Sequence, residues 1–377
     1  MQRLLLPTIN FDRCLQLFLL VSPILWLPGM TQNGLQFLLF NYGGVILLSL
    51  ALFLGVRRRA DNPVLPLILI CNTILAVILN PRGYPLGFIA LIAGVSLYYS
   101  IILGVKRIKG VVLILLIMSL INVVFALCQK FGLYLVYDPG NTYALNPSFH
   151  ISHTSMPGLM GRNYHLAYSL VIISPLGFIL NKKIGWISIC IAGVFVFLIE
   201  SYACRFAFAV MLLILLSSRV NKKGIIVLLI LSAITLTVLK GETIVNKLNT
   251  RAKSYEYIIK ECMINVFIGR GIGSFDLEEL QRRGIIKLAS SFNQYLRTMF
   301  EIGVVPFLFL AWSLVRYFRS FKRKNIYFLA SLGAMAIYPL FHEVLRFARF
   351  DILIITIIAL FEVDCINKRE QLQEEVL

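Results

Sequence analysis

About 12 stretches of this sequence run for roughly 16–25 residues with hardly a charge, long enough for helices to cross a bilayer when short or tilted ones are included. They fall near residues 14–30, 36–56, 63–80, 86–105, 110–136, 164–180, 184–200, 203–218, 224–240, 293–315, 325–343 and 346–363. The expected fold is therefore an all-α polytopic membrane protein, one transmembrane domain over residues 1–377. Composition agrees, with 59% hydrophobic and 14% charged residues and a mean hydropathy of +0.83. No soluble core has to be found in such a chain. The first run ends Leu27-Pro28-Gly29-Met30 rather than in small residues, so it reads as a retained span and not a cleaved leader.

Charge sets the expected orientation. The formal net charge of +18 does not point to nucleic acid, because Lys and Arg gather in short gaps between apolar runs. Arg57-Arg58-Arg59, Lys106-Arg107, Lys182-Lys183, Arg219 with Lys222-Lys223, and Arg316 through Lys324 all fall on one side. The opposite short gaps hold only Arg82, Arg205, Arg346 and Arg349. The positive-inside rule puts the basic side and both termini in the cytoplasm. The seven cysteines show no CxxC or Cys/His spacing, so neither a zinc site nor a disulfide framework is supported. Cys204 and Cys262 both fall on the outer side, where a disulfide is chemically permitted but demanded by no spacing.

Two longer segments lie on that outer side, residues 137–163 and 241–292. The second separates the ninth and tenth runs and carries Lys253, Glu256 and Lys260 at helical spacing among Tyr255, Ile258, Ile259 and Cys262. That pattern reads as a surface-lying helix. It ends in Gly269-Arg270-Gly271-Ile272-Gly273, a tight loop and not a dinucleotide fingerprint, since no strand precedes it. Arginines collect on this side: Arg162, Arg205, Arg251 and Arg270, with Arg346 and Arg349 as neighbours. A planar guanidinium suits a dense anion such as phosphate. Each also has a plainer reading. Arg205 could snorkel to headgroups or pair with Glu200, Arg251 could be a solvated helix start, and Arg270 a turn residue. Glu301 inside an apolar run is either functional or the i+4 partner of Arg297. His150 and His153 suit solvated loop positions, and His342-Glu343 is either a base or a structural pair.

The residues just named resemble the O-antigen ligase and O-antigen polymerase superfamily of bacterial envelope glycosyltransferases. Gly161-Arg162-Asn163-Tyr164-His165-Leu166-Ala167 is similar to the motif that opens a middle span in that family. Ser201-Tyr202-Ala203-Cys204-Arg205 is similar to its arginine at an outer helix end, and Arg251 with Tyr255-Glu256 to the arginine opening its periplasmic helix. Phe267 to Phe275 resembles the glycine loop that follows, and Asn293-Gln294-Tyr295-Leu296 to Glu301-Ile302-Gly303 the motif starting the next span. Order and spacing carry the likeness, over roughly residues 155–310. One position departs: the histidine usual before that asparagine is Phe292 here, which favours polymerase over ligase.

The resemblance implies a GT-C-like fold and an inverting transfer without nucleotide sugar, metal or other cofactor. The donor would be a glycan on undecaprenyl diphosphate, and the acceptor a sugar hydroxyl on a second lipid carrier (polymerase) or on lipid A-core (ligase). Arg205 and Arg251 would hold the diphosphate and stabilise charge on the leaving group, with Glu301 as a weaker catalytic candidate. Arg162, Asn163, Arg270, Asn293, His342 and Arg346 would bind diphosphate or glycan. Expected partners are membrane lipid and a chain-length regulator, with no nucleic acid, in lipopolysaccharide, capsular or exopolysaccharide synthesis at the bacterial inner membrane. The rival from another class is a lipid-linked oligosaccharide flippase, which should carry polar residues deep in the bundle rather than at one face. A tag placed within 241–292 should be labelled from outside intact cells while one within 316–324 is not; the reverse pattern would invert the topology.

Overall fold

The computed structural model describes residues 10–21, 35–53, 85–131, 133, 163–199, 201–217, 255–270, 293–320, 325–340 and 348–376. Among them there is no strand, and nearly all of them lie in helices. In order these are α1 (Phe11–Val21), α2 (Leu35–Phe53), α3 (Pro85–Gly104), α4 (Ile108–Lys130) and α5 (Asn163–Ile173). A 3-10 turn (Ser174–Leu176) joins α5 to α6 (Gly177–Leu180), followed by α7 (Lys182–Leu198) and α8 (Tyr202–Ser217). Then come α9 (255–264), α10 (Gln294–Ile302), α11 (Val304–Ser320) and α12 (Ile326–Ile337), which ends in a 3-10 turn (Tyr338–Leu340), and last α13 (Ala348–Val376).

Asparagines in the polar gaps start three of these helices. The side chains of Asn181, Asn293 and Asn325 each accept a backbone N–H from two residues on, at 2.9, 2.9 and 3.1 Å. Each bond satisfies a donor that a helix start otherwise leaves orphaned. Pro175 lacks that donor altogether, and there the helix tightens into the 3-10 turn. Buried polar side chains fold back onto their own helix: Ser100 Oγ donates to Ser96 C=O at 2.6 Å, and Asn122 Nδ2 to Met118 C=O at 3.0 Å. Buried away from water, these groups have no solvent to take those bonds, so local satisfaction is what lets such residues sit in apolar helices.

Packing runs pairwise: α2 along α3, α13 along α3, α8 along α12, and α5 against α7, α8 and α12. One core cluster joins Leu97, Ile101, Val111, Leu166, Tyr168, Phe328 and Phe361. The outer faces are as oily as the core. On α4, Leu113, Ile117, Leu120, Val124 and Leu127 are exposed; on α11, Val305, Leu308, Phe309, Trp312 and Val315. Both sets recur at three- and four-residue steps, each a single stripe down its helix. Apolar stripes of this extent do not persist in water on a monomer.

By length and composition α4 is long and apolar enough to cross a membrane alone. α10 and α11 pass the same test together, but with a bend of 118° between them. The expected tenth run, 293–315, is therefore not one straight helix: Gly303, at φ 94°, breaks it. The expected last run, 346–363, continues as helix to Val376 through residues that are charged. The expected runs 63–80 and 224–240 lie outside the described residues. The exposed stripe on α4 has a direct test. Leu120→Asp, near the helix centre, should add about 2.5–3.5 kcal/mol to insertion and cut membrane-integrated yield, whereas Leu120→Ala should not.

Candidate functional site

The motif segments meet at one end of the bundle. The first turn of α8 lies against the first turn of α5, where Cys204 Sγ donates to Tyr164 C=O at 3.3 Å. One turn further into α5, Tyr168 stacks on Tyr338 with ring centroids 3.9 Å apart and planes 12° from parallel, and its hydroxyl reaches Met335 C=O at 3.5 Å. From the other side Tyr295 of α10 donates its hydroxyl to Ala336 C=O at 2.5 Å. The end of α12 is thus gripped by a tyrosine from α5 and another from α10, and α8 packs on the same 3-10 turn. Tyr168 and Tyr338 are fully buried. This tyrosine floor was not singled out in the sequence, because aromatic residues in apolar runs carry no local mark of convergence.

Arg205 stands on the first turn of α8. Its Nη2 donates to Phe197 C=O at 3.4 Å, and its ζ carbon lies 5.9 Å from the rings of both Phe197 and Tyr202. Its Nε is buried without a hydrogen-bond partner among the described residues, and no carboxylate there pairs with it. Aromatic faces attract a guanidinium through their quadrupole but leave its N–H fork open. Glu200, the pairing partner weighed for it, lies outside the described residues. Among the described ones this cation is held in place without a carboxylate, an arrangement that can take an anion.

Arg270, Asn293 and Glu301 are engaged within the protein. Arg270 Nη2 and Nε donate to Glu261 Oε2 at 2.5 and 3.2 Å, with the arginine side chain about half exposed. Asn293 caps α10, its Oδ1 accepting from the N–H groups of Tyr295 and Leu296. Glu301 is buried and accepts from Arg297 Nε at 2.9 Å, so the paired arrangement is the one observed. Removing one member of a buried pair costs about 3–5 kcal/mol, because the other is left charged in a dry site. Asn163 opens α5. Arg162, Arg251, His342 and Arg346 lie outside the described residues. Among the described residues no three His, Cys, Asp or Glu side chains gather as metal ligands would.

The glycine loop is docked, not free. Gly269 has φ 71°, and a Cβ there would sit 2.5 Å from Glu301 O and Gly303 N. Gly303 has φ 94°, and its Cβ would meet Val266 O and Ile268 N at 2.9 Å. The two backbones press together because neither residue has a side chain. Arg270 N–H donates to Phe300 C=O at 2.8 Å and Val305 N–H to Val266 C=O at 3.0 Å across the joint. Beneath it Ile258 and Cys262 of α9 bury against Phe300 of α10. Burial, with Glu261 beside it, pushes the Cys262 thiol up to about 11. Cys204 and Cys262 are both free thiols, so the permitted disulfide is not formed.

Deep in the bundle, Tyr98 of α3 donates its hydroxyl to Glu362 of α13, which is fully buried. The sequence reading missed this carboxylate, which lies at the edge of the last apolar run. Polar groups are therefore not confined to the end where Arg205 stands.

No protein-family model matches this sequence, and a search of curated proteins finds no match.

Gly303→Ala should strain this joint by about 1–3 kcal/mol. Below about pH 11 the Cys262 thiol stays neutral, so at pH 8 it should react slowly with a maleimide in the parent protein. In Gly303→Ala its labelling, followed on the 255–270 peptide by mass spectrometry, should rise several-fold. Unchanged labelling would mean that the glycines do not close the joint.

Proposed function

We propose that this chain is a multi-pass glycosyltransferase of the bacterial inner membrane, with about 12 spans and both termini cytoplasmic. It moves a glycan from undecaprenyl diphosphate to a sugar hydroxyl at the periplasmic face. The observation that carries the reading is the guanidinium of Arg205 on the first turn of α8, held by Phe197 C=O and the rings of Phe197 and Tyr202, with its Nε unpaired among the described residues. A diphosphate arriving from lipid finds there a cation whose hydrogen-bonding fork is largely unused. In the transition state, charge moves onto the departing diphosphate, and a fixed fork stabilises it without reorganising. Lysine cannot replace that fork, because its ammonium is a point charge on a flexible stem. Arg251 would complete the clamp. Arg270 is held by Glu261 and Glu301 by Arg297, so both serve better as supports for α9 and α10 than as groups meeting substrate.

Repeat-unit polymerisation is the preferred form, resting on Phe292 in place of the ligase-type histidine. The acceptor is then a second lipid-linked repeat unit. The transporter reading draws on one specific observation, the buried Glu362 with its Tyr98 partner, since a carboxylate inside a bundle suits a translocation path. Enzyme and transporter separate in one assay. With purified lipid-diphosphate donor and acceptor, Arg205→Ala should lower transfer on the order of 10²-fold or more, and Arg205→Lys should recover only part of it. Full activity in a normally expressed Arg205→Ala would remove this residue from the site. No transfer by the parent protein, with lipid-linked glycan crossing vesicles instead, would favour the transporter. In cells, retention of a single repeat unit after deletion marks a polymerase, whereas loss of all repeats with accumulation of lipid-linked chains marks a ligase.

A further inference from the structure

The last turn of α9 and the turn after it leave three large apolar side chains bare. Met263 is 67% exposed, Ile264 65% and Phe267 73%. The earlier turns are mixed, with Glu256 and Lys260 exposed beside Ile259, which is 49% exposed. The most exposed apolar side chains gather at the C-terminal tip, where no charged side chain stands between them. Its inner face is already used: Ile258 and Cys262 are buried against Phe300. The tip is surplus to that packing.

Its position says what it meets. Val305 N–H donates to Val266 C=O at 3.0 Å, which fixes the tip beside the first turn of α11. That turn begins the exposed stripe Val305, Leu308, Phe309 and Trp312. The bare surface of the tip thus continues, without an intervening charged residue of its own, into the exposed apolar stripe of α11. Gly269 and Gly303 hold the two together backbone to backbone, so the tip cannot swing out independently of α11. Arg270, half exposed and paired to Glu261, follows the tip directly.

We propose that Met263, Ile264 and Phe267 form a lipid-contact surface seated in the outer leaflet, at the boundary of headgroups and acyl chains. The surface rests on the membrane reading given above. It makes the extracytoplasmic segment a membrane-dipping element rather than one held wholly in water, and it holds α9 at a fixed depth beside α11.

The test uses the full unmodified chain in vesicles of phosphatidylethanolamine and phosphatidylglycerol that carry a diazirine on the acyl chain. After illumination, lipid adducts are mapped by peptide mass spectrometry. Adducts on 263–267 at a yield within about threefold of those on 305–312 are expected, as for a tip buried several ångströms into the interface. Adducts on 305–312 with none on 263–267 would overturn the lipid-contact surface and leave the membrane reading standing. Adducts on neither would overturn both. Chain-to-chain cross-links through 263–267 in place of lipid adducts would assign the tip to a second copy and also overturn the proposal. As a second measurement, Phe267→Trp in a background of Trp26→Phe, Trp186→Phe and Trp312→Phe should be quenched by acyl-brominated lipid and not by aqueous iodide. Quenching by iodide alone would count against the proposal.

Discussion

Two backbones touching at Gly269 and Gly303 organise this end of the molecule. A side chain at either would enter the other strand of chain, and both φ angles lie where L-residues are strained. Because the contact exists, the loop at 265–270 can hydrogen-bond across the break between α10 and α11. Because that break is held, α10 can turn 118° away from α11 and lie over the bundle instead of continuing into it. The buried Arg297–Glu301 pair and the Tyr295–Ala336 bond both follow from where that turn places α10.

Helix positions were largely legible in the sequence because the apolar runs are long and the gaps polar. α3, α7 and α8 begin and end within two residues of their expected limits. What failed to show were features whose cause is remote in the chain. Gly303 sits among apolar residues and reads as one more small residue in a span; its role depends on Gly269, which only folding brings to it. The helical continuation of α13 past residue 363 hid behind its change to charged residues, which ended the hydropathy pattern without ending the helix. Glu362 escaped notice because it lies at that same edge, and its Tyr98 partner is on a helix far away in sequence.

The candidate site was legible in part. Arg205 stood out because it interrupts two apolar runs by a few residues, and it is held by a carbonyl and two aromatic faces. For Arg270 and Glu301 residue type alone left two roles open, and the structure shows the internal contact of each; Asn293, expected only as a binding residue, caps α10. An arginine in a turn, an asparagine before a helix and an acid four residues after an arginine all have local work to do. Tyr168 and Tyr338 gave no signal, since a stack formed by residues 170 positions apart has no spacing to read.

α13 runs from Ala348 to Val376 with no interruption, apolar at first and charged at its end. Its final 13 residues alone are about 20 Å of rod at the rise of an α-helix. Glu362 and its bond to Tyr98 lie where the oily part gives way to the charged part. A rod without a hinge passes torque along its length. The charged terminus is thereby joined, through one uninterrupted helix, to the buried carboxylate and by its hydrogen bond to α3.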